Sequence, residues 1–84
     1  LLYTSHNQIS ILRPRIFRFN PKLKYIDLSF NSVINIPGNV FDDLKDLEVL
    51  ELSNNFISHI EKNSFDRLTH LQTLLLSDNK MTEV

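Results

Sequence analysis

The amino-acid sequence predicts an α/β solenoid: a curved stack of short coils with a parallel β-sheet on the concave face and irregular or 3₁₀ segments on the convex face. Two observations lead there. One pattern of apolar residues and asparagine recurs from end to end, and each copy pairs a short alternating run with a return segment unsuited to a long helix. Leu23, Ile26, Leu28, Asn31, Val33, Ile36, Phe41 and Leu44 reappear 24 positions later (47 minus 23) as Leu47, Leu50, Leu52, Asn55, Ile57, Ile60, Phe65 and Leu68. A further step gives Leu71, Leu74, Leu76, Asn79, Met81 and Val84, and a backward step gives Leu2, Thr4, Asn7, Ile9, Leu12, Phe17 and Asn20. The chain therefore divides into a partial repeat 1–22, full repeats 23–46 and 47–70, and a partial repeat 71–84. Thr4 and Asn20 interrupt the apolar pattern, so the first repeat is expected to pack least well. No capping sequence is present, so Leu2, Leu71, Leu74 and Leu76 are expected to face water.

Each repeat opens on a strand. Alternation puts Ile26 and Leu28 on one face and Tyr25, Asp27 and Ser29 on the other, the period of two that extended backbone imposes. A single strand cannot bury its apolar face. Stacking the next copy about 4.8 Å away packs Leu23, Ile26, Leu28, Val33, Ile36 and Phe41 against their equivalents, and stability then adds along the column. Asn7, Asn31, Asn55 and Asn79 follow the strands where backbone amides leave the sheet. A carboxamide supplies both donors and an acceptor, so a buried structural asparagine ladder is expected there.

Residues 33–46 bring the chain back to the same edge, as parallel strands require. Pro37 and Gly38 argue against a long helix, while Phe41 to Asp46 suits a helical or 3₁₀ turn with Phe41 and Leu44 facing inward. On the outside, a basic run of Arg13, Arg15, Arg18, Lys22 and Lys24 precedes the acidic Asp42, Asp43, Asp46 and Glu48. Register would set Arg18 against Asp42, Asp43 against Arg67, and Lys22, Asp46 and His70 in one column. These rows are expected to favour stacking rather than to grip phosphate.

The segment Leu47-Glu48-Val49-Leu50-Glu51-Leu52-Ser53-Asn54-Asn55-Phe56-Ile57 has the form L-x-x-L-x-L-x-x-N-x-L, and the chain resembles the leucine-rich-repeat family over its whole length. Repeats of this length with phenylalanine at the nineteenth position, here Phe17, Phe41 and Phe65, are similar to the "typical" class of extracellular receptors, matrix proteins and adhesion proteins. Toll-like receptor ectodomains are among them. The resemblance implies a recognition segment of an extracellular or cell-surface ectodomain, in innate immunity or cell adhesion, whose parent is a single-pass membrane or secreted protein. It implies a protein ligand or co-receptor as partner, and oligomers formed through the parent ectodomain.

Composition excludes several other classes. A net charge of -1 attracts neither nucleic acid nor an anionic membrane in bulk, and no apolar run reaches the roughly 20 residues of a membrane span, so no membrane insertion is expected of this segment. With no cysteine there is neither a disulfide framework nor a Cys-based metal site. His6, His59 and His70 occupy different repeat positions and cannot gather on one metal. Gly38 is the only glycine, too few for a phosphate-cradling loop. Ser5, Ser29, Ser53 and Ser77 share one position, which marks scaffold rather than a single nucleophile. Neither a catalytic residue, a cofactor nor a metal is assigned. Asn31-Ser32-Val33 and Asn63-Ser64-Phe65 both miss the N-glycosylation sequon at the third position.

The expected contact set is the outward side of the concave sheet and its margin: Tyr3, Tyr25, Asp27, Phe30, Val49, Glu51, Asn54, Thr73, Leu75 and Asp78. Asp27 and Glu51 share a register position and form either an acidic binding spot or a solvated face. Phe30 stands where the other copies have His6, Asn54 and Asp78, and is either a partner anchor or an ordinary exposed aromatic. The alternatives to a recognition module are spacer repeats of a larger repeat protein, or a sensor segment of a cytosolic or enzyme-linked signalling protein.

Overall fold

The computed structural model describes residues 2–81, with the side chain of Tyr3 outside the description. Six strands appear in the order β1 (Leu2–Tyr3), β2 (Tyr25–Asp27), β3 (Asn35–Ile36), β4 (Val49–Glu51), β5 (His59–Ile60) and β6 (Thr73–Leu75). β1, β2, β4 and β6 form one parallel sheet in that order. Its register joins equivalent residues of successive repeats: Leu2 to Ile26, Ile26 to Leu50, and Leu50 to Leu74. This parallel sheet fits a repeat fold.

β2, β4 and β6 are short because only three residues separate the chain's arrival from its bend. In β2 and β4 the middle residue, Ile26 or Leu50, is fully buried between half-buried neighbours. The alternation of the sequence is thus an alternation of burial. Ile26, Val33, Ile36, Phe41, Leu44, Leu47, Leu50, Leu52 and Ile57 are completely withdrawn from water. Phe17, Phe41 and Phe65 stack in a column, with ring centroids 6.1 and 5.9 Å apart and planes tilted by 13° and 18°. Like rings one above another are what a strict repeat delivers, and they fill the outer half of the core.

The return segments contain no helix among the described residues, so the α component of the expected α/β class is absent. What forms instead are linked turns. The Leu44 amide donates to the Phe41 carbonyl at 3.1 Å and the Leu47 amide to the Leu44 carbonyl at 3.3 Å. The next repeat does the same, Leu68 to Phe65 at 3.1 Å and Leu71 to Leu68 at 3.2 Å. These bonds span three residues but do not fall at consecutive positions, so they make linked turns rather than a helix. Before these turns, β3 and β5 pair in parallel as a second sheet, which the apolar period alone did not suggest. Gly38 sits beside it, its amide donating to the Glu61 carboxylate of the following repeat.

At the ends, Leu2, Leu71, Leu74 and Leu76 pack against the core yet stay partly exposed, whereas their equivalents Ile26, Leu47, Leu50 and Leu52 are fully buried, since one neighbouring coil covers only one side of each. In the first repeat, Leu12 and Phe17 are buried while Ile11, Ile16 and Phe19 are exposed. An open apolar hollow of about 510 Å³, lined by Leu2, Thr4, Ile9, Leu12, Ile16 and Phe17 among others, marks that side of the stack.

Candidate protein-binding face

Outward from the main sheet stand two rows. Tyr25, Val49 and Thr73 form one, and Asp27, Glu51 and Leu75 the other, each joined across the strands as Cα partners. The backbone of Tyr3 continues the second row beside Asp27, with its side chain outside the description. Tyr25, Asp27, Val49 and Glu51 are half-buried, and Thr73 and Leu75 are exposed. The two carboxylates therefore lie on neighbouring strands, as their register required.

Each carboxylate also serves the bend that follows its strand. Asp27 Oδ1 accepts from the Ser29 amide at 3.0 Å and from the Ser29 hydroxyl at 2.6 Å. Glu51 Oε1 accepts from the Ser53 amide at 3.0 Å. Ser29 and Ser53 are buried, and the Ser77 hydroxyl donates to that of Ser53 at 3.1 Å. The serines are thus engaged in holding the turn.

Behind the face, the asparagines tie coil to coil. Asn31 Nδ2 donates to the carbonyls of Thr4, Leu28 and Ser29 at 3.0–3.1 Å, and its Oδ1 accepts the Ile9 amide at 3.1 Å. Asn55 repeats this with Leu28, Leu52, Ser53 and the Val33 amide, and Asn79 with Leu52, Leu76, Ser77 and the Ile57 amide. Burial is uneven along the row: Asn31 and Asn55 are buried, Asn79 is half-buried, and Asn7 is exposed and donates only to Thr4 and Ser5 of its own coil. The carboxamides bridge two coils because each bend leaves carbonyls and an amide with no sheet partner.

At the margin, the position before each asparagine is left-handed. His6, Phe30, Asn54 and Asp78 have φ of 59°, 55°, 59° and 57°. Asparagine and aspartate tolerate this conformation, whereas a bulky side chain does so at a cost. Phe30 is 48% exposed and lies flat on His6, with centroids 4.4 Å apart and planes 8° from parallel. His6, not among the expected contact residues, belongs to the same surface. Asn54 and Asp78 at one register position were the signal of a left-handed bend, but a period of apolar residues does not weigh φ. Asp78 is exposed and Asn54 half-buried.

The outer charges pair differently from simple register. Arg15 Nη2 lies 2.9 Å from Asp43 Oδ1 and Nε lies 3.2 Å from Oδ2, the one ion pair among the described residues. This fork holds the Asp43 carboxyl below its ordinary value, first through the hydrogen bond from Arg15, and raises the Arg15 guanidinium. Arg18 does not meet Asp42. It donates to the Arg15 carbonyl at 3.3 Å and lies over the Phe19 ring at 4.7 Å. His70 gives its Nδ1 to the Lys45 carbonyl at 2.9 Å rather than to Asp46. Among the described residues no three His, Cys, Asp or Glu side chains gather to hold a metal ion, and no helix is long and apolar enough to cross a membrane.

An end-to-end period, a parallel sheet built from equivalent residues and the bridging asparagines Asn31, Asn55 and Asn79 define a protein of repeated coils. The family model described as leucine rich repeat matches residues 21–81, and the chain belongs to that family. Comparison with curated proteins gives no match. Membership supports a protein–protein interaction module as the coarse function, since such repeats are generally non-catalytic binding units.

Proposed function

We propose that this chain is a non-catalytic recognition segment of an extracellular receptor or adhesion ectodomain, and that the outward face of its main sheet binds a protein ligand or co-receptor. In this reading the stack is curved and the sheet lies on the concave side, as repeated coils with strands on one side and bulkier turns on the other tend to arrange themselves. One observation carries it. The repeated positions are consumed by scaffold, namely core leucines, asparagine bridges and serine bends, whereas Tyr25, Asp27, Val49, Glu51, Thr73 and Leu75 vary from coil to coil on a face that no other element among the described residues covers. Phe30, Asn54 and Asp78 extend that variable surface along the margin.

Phe30 adds weight because it is a large aromatic held in left-handed backbone, and rigid exposed aromatics concentrate binding energy at interfaces. The spacer reading draws on a different fact: Asp27 and Glu51 each spend one oxygen on the bend. Selection of a displayed random-peptide library on the chain, followed by transfer of each binder to the triple variant Tyr25→Ala, Phe30→Ala, Glu51→Ala, separates the two. Binders that lose at least about tenfold in affinity support recognition at the sheet face, one good anchor being equivalent to about 1.4 kcal/mol or more. A library whose binders all hold the variant equally well removes the proposal and leaves the spacer.

A further inference from the structure

In the two full repeats, 23–46 and 47–70, three large apolar side chains stay exposed among the described residues, and all three lie on one flank of the stack. Phe30, Ile34 and Phe56 are 48%, 48% and 50% exposed and fall between a main strand and the second sheet. A neighbouring coil is present on each side of this flank: the Ser32 amide donates to the Ile9 carbonyl at 2.8 Å, and the Lys80 amide to the Ile57 carbonyl at 2.9 Å. The exposure is therefore not that of an open end. Stacking does not require these side chains either, since the register equivalents of Phe56 are Gln8, Ser32 and Lys80, and those of Ile34 include Ser10 and Ser58.

Hydrogen bonds between coils draw the flank together. The Phe56 amide donates to the Val33 carbonyl at 2.9 Å and the Ser58 amide to the Ile34 carbonyl at 3.0 Å, so residues 56–58 run beside 33–34. Phe30 stands at the head of the same bend, on the margin of the main sheet, and the apolar flank thus continues into the sheet face. The charge on that face has one sign. Asp27 and Glu51 are Cα partners there, neither is in an ion pair among the described residues, and no lysine or arginine occupies the outward rows or the margin.

We propose that this flank and the adjoining carboxylates dock a cationic, apolar protein segment, which covers Ile34 and Phe56 with large apolar side chains and sets a lysine or arginine on Asp27 and Glu51. The carboxylate half rests on the sheet-face reading, whereas the apolar half is independent of it. Charge complementarity selects this occupant. Withdrawing Ile34 and Phe56 from water favours any apolar segment, and the two carboxylates favour one that carries positive charge while repelling nucleic acid and an anionic membrane surface.

The test uses the 84-residue chain and three synthetic peptides: leucine alternating with arginine, the same with glutamate for arginine, and the same with serine for leucine. The leucine–arginine peptide is expected to move the amide resonances of residues 27, 34, 51 and 56 and to bind about tenfold or more tighter than either counterpart. Ile34→Ser and Phe56→Ser together are expected to weaken it about tenfold or more, as loss of a buried apolar anchor implies. Serine already stands at these positions in other coils, so the fold is expected to persist, and unchanged urea unfolding checks that. Asp27→Asn with Glu51→Gln, which keeps an oxygen for each bend, is expected to remove the preference for arginine over glutamate. Equal binding of the glutamate peptide, no loss with the double serine variant, no binding at all, or sedimentation showing the chain alone in a dimer that Phe56→Ser dissolves would each overturn the proposal. Shifts at 27 and 51 alone overturn it and leave the sheet-face reading standing, whereas shifts at 34 and 56 alone overturn it together with that reading.

Discussion

Replacing Asn55 by alanine separates the bridging role of the asparagines from mere presence at a bend. Asn55 is 3% exposed, and its Nδ2 donates to the carbonyls of Leu28, Leu52 and Ser53 at 3.0, 3.1 and 3.3 Å. Each of those carbonyls keeps another donor when Asn55 is truncated: Asn31 at Leu28, Asn79 at Leu52, and the Phe30 amide at Ser53. The Val33 amide does not. It is fully buried and gives its hydrogen to Asn55 Oδ1 at 3.1 Å. One orphaned buried amide costs about 1–3 kcal/mol, and the thinned carbonyl contacts and small void add about 1 more, so Asn55→Ala should lose about 2–4 kcal/mol.

Asn7→Ala is the matched control. Asn7 is exposed and donates only within its own coil, where water replaces it, so the loss should stay below about 1 kcal/mol. Against a total of about 4–13 kcal/mol expected for a chain of 84 residues, the difference is large. Urea unfolding followed by far-ultraviolet circular dichroism measures both, and hydrogen exchange at the Val33 amide shows where the loss falls. If the two variants agreed within about 0.5 kcal/mol, the ordinary scatter of surface substitutions, the bridging role would be refuted.

Phe41→Ala removes the middle ring of the column and should cost about 3–5 kcal/mol, more than Phe65→Ala at a half-buried position with one ring neighbour; thermal melts of the pair check the order. Phe30 gains from lying on His6 and loses from its left-handed backbone, so Phe30→Asn should be close to neutral in the native chain but stabilising by about 1 kcal/mol in a His6→Ala background. A double-mutant cycle by urea titration decides, and destabilisation in both backgrounds would show that the backbone is unstrained. Because the folded Asp43 carboxyl lies below its unfolded value, its contribution is present above the ordinary carboxylate range and fades as pH falls through the lowered folded value. Arg15→Gln should move the Asp43 titration upward, as followed by carboxyl carbon NMR, and Asp43→Asn should remove that part of the acid-side fall in stability.

Interactions that repeat are legible in the sequence, and those that occur once are not. Leu50 and Ile26 are identifiable as core because apolar residues at a fixed period have only one place to go, and the same period by itself aligns Asp27 with Glu51. The absence of a helix after Phe41 was only half foreseen, since Pro37 and Gly38 forbid a long helix without saying whether a short one survives. The β3–β5 pairing was missed because Asn35–Ile36 and His59–Ile60 are too short to show a period.

The sequence by itself determined the repeat length, the residues that stack, the asparagine at each bend and the variable outward rows, because all of these follow from periodicity and from side-chain chemistry read one position at a time. Tertiary structure alone decided which asparagines are buried, that Phe30 pays for its place with a left-handed backbone and rests on His6, and that Arg15 rather than Arg18 takes the acid of the next coil. The physical reason is one of scale. A period specifies which coils lie side by side, but the reach of a guanidinium, the tilt of a ring and the sign of a φ angle are settled by a few ångströms of local geometry that recurrence does not encode.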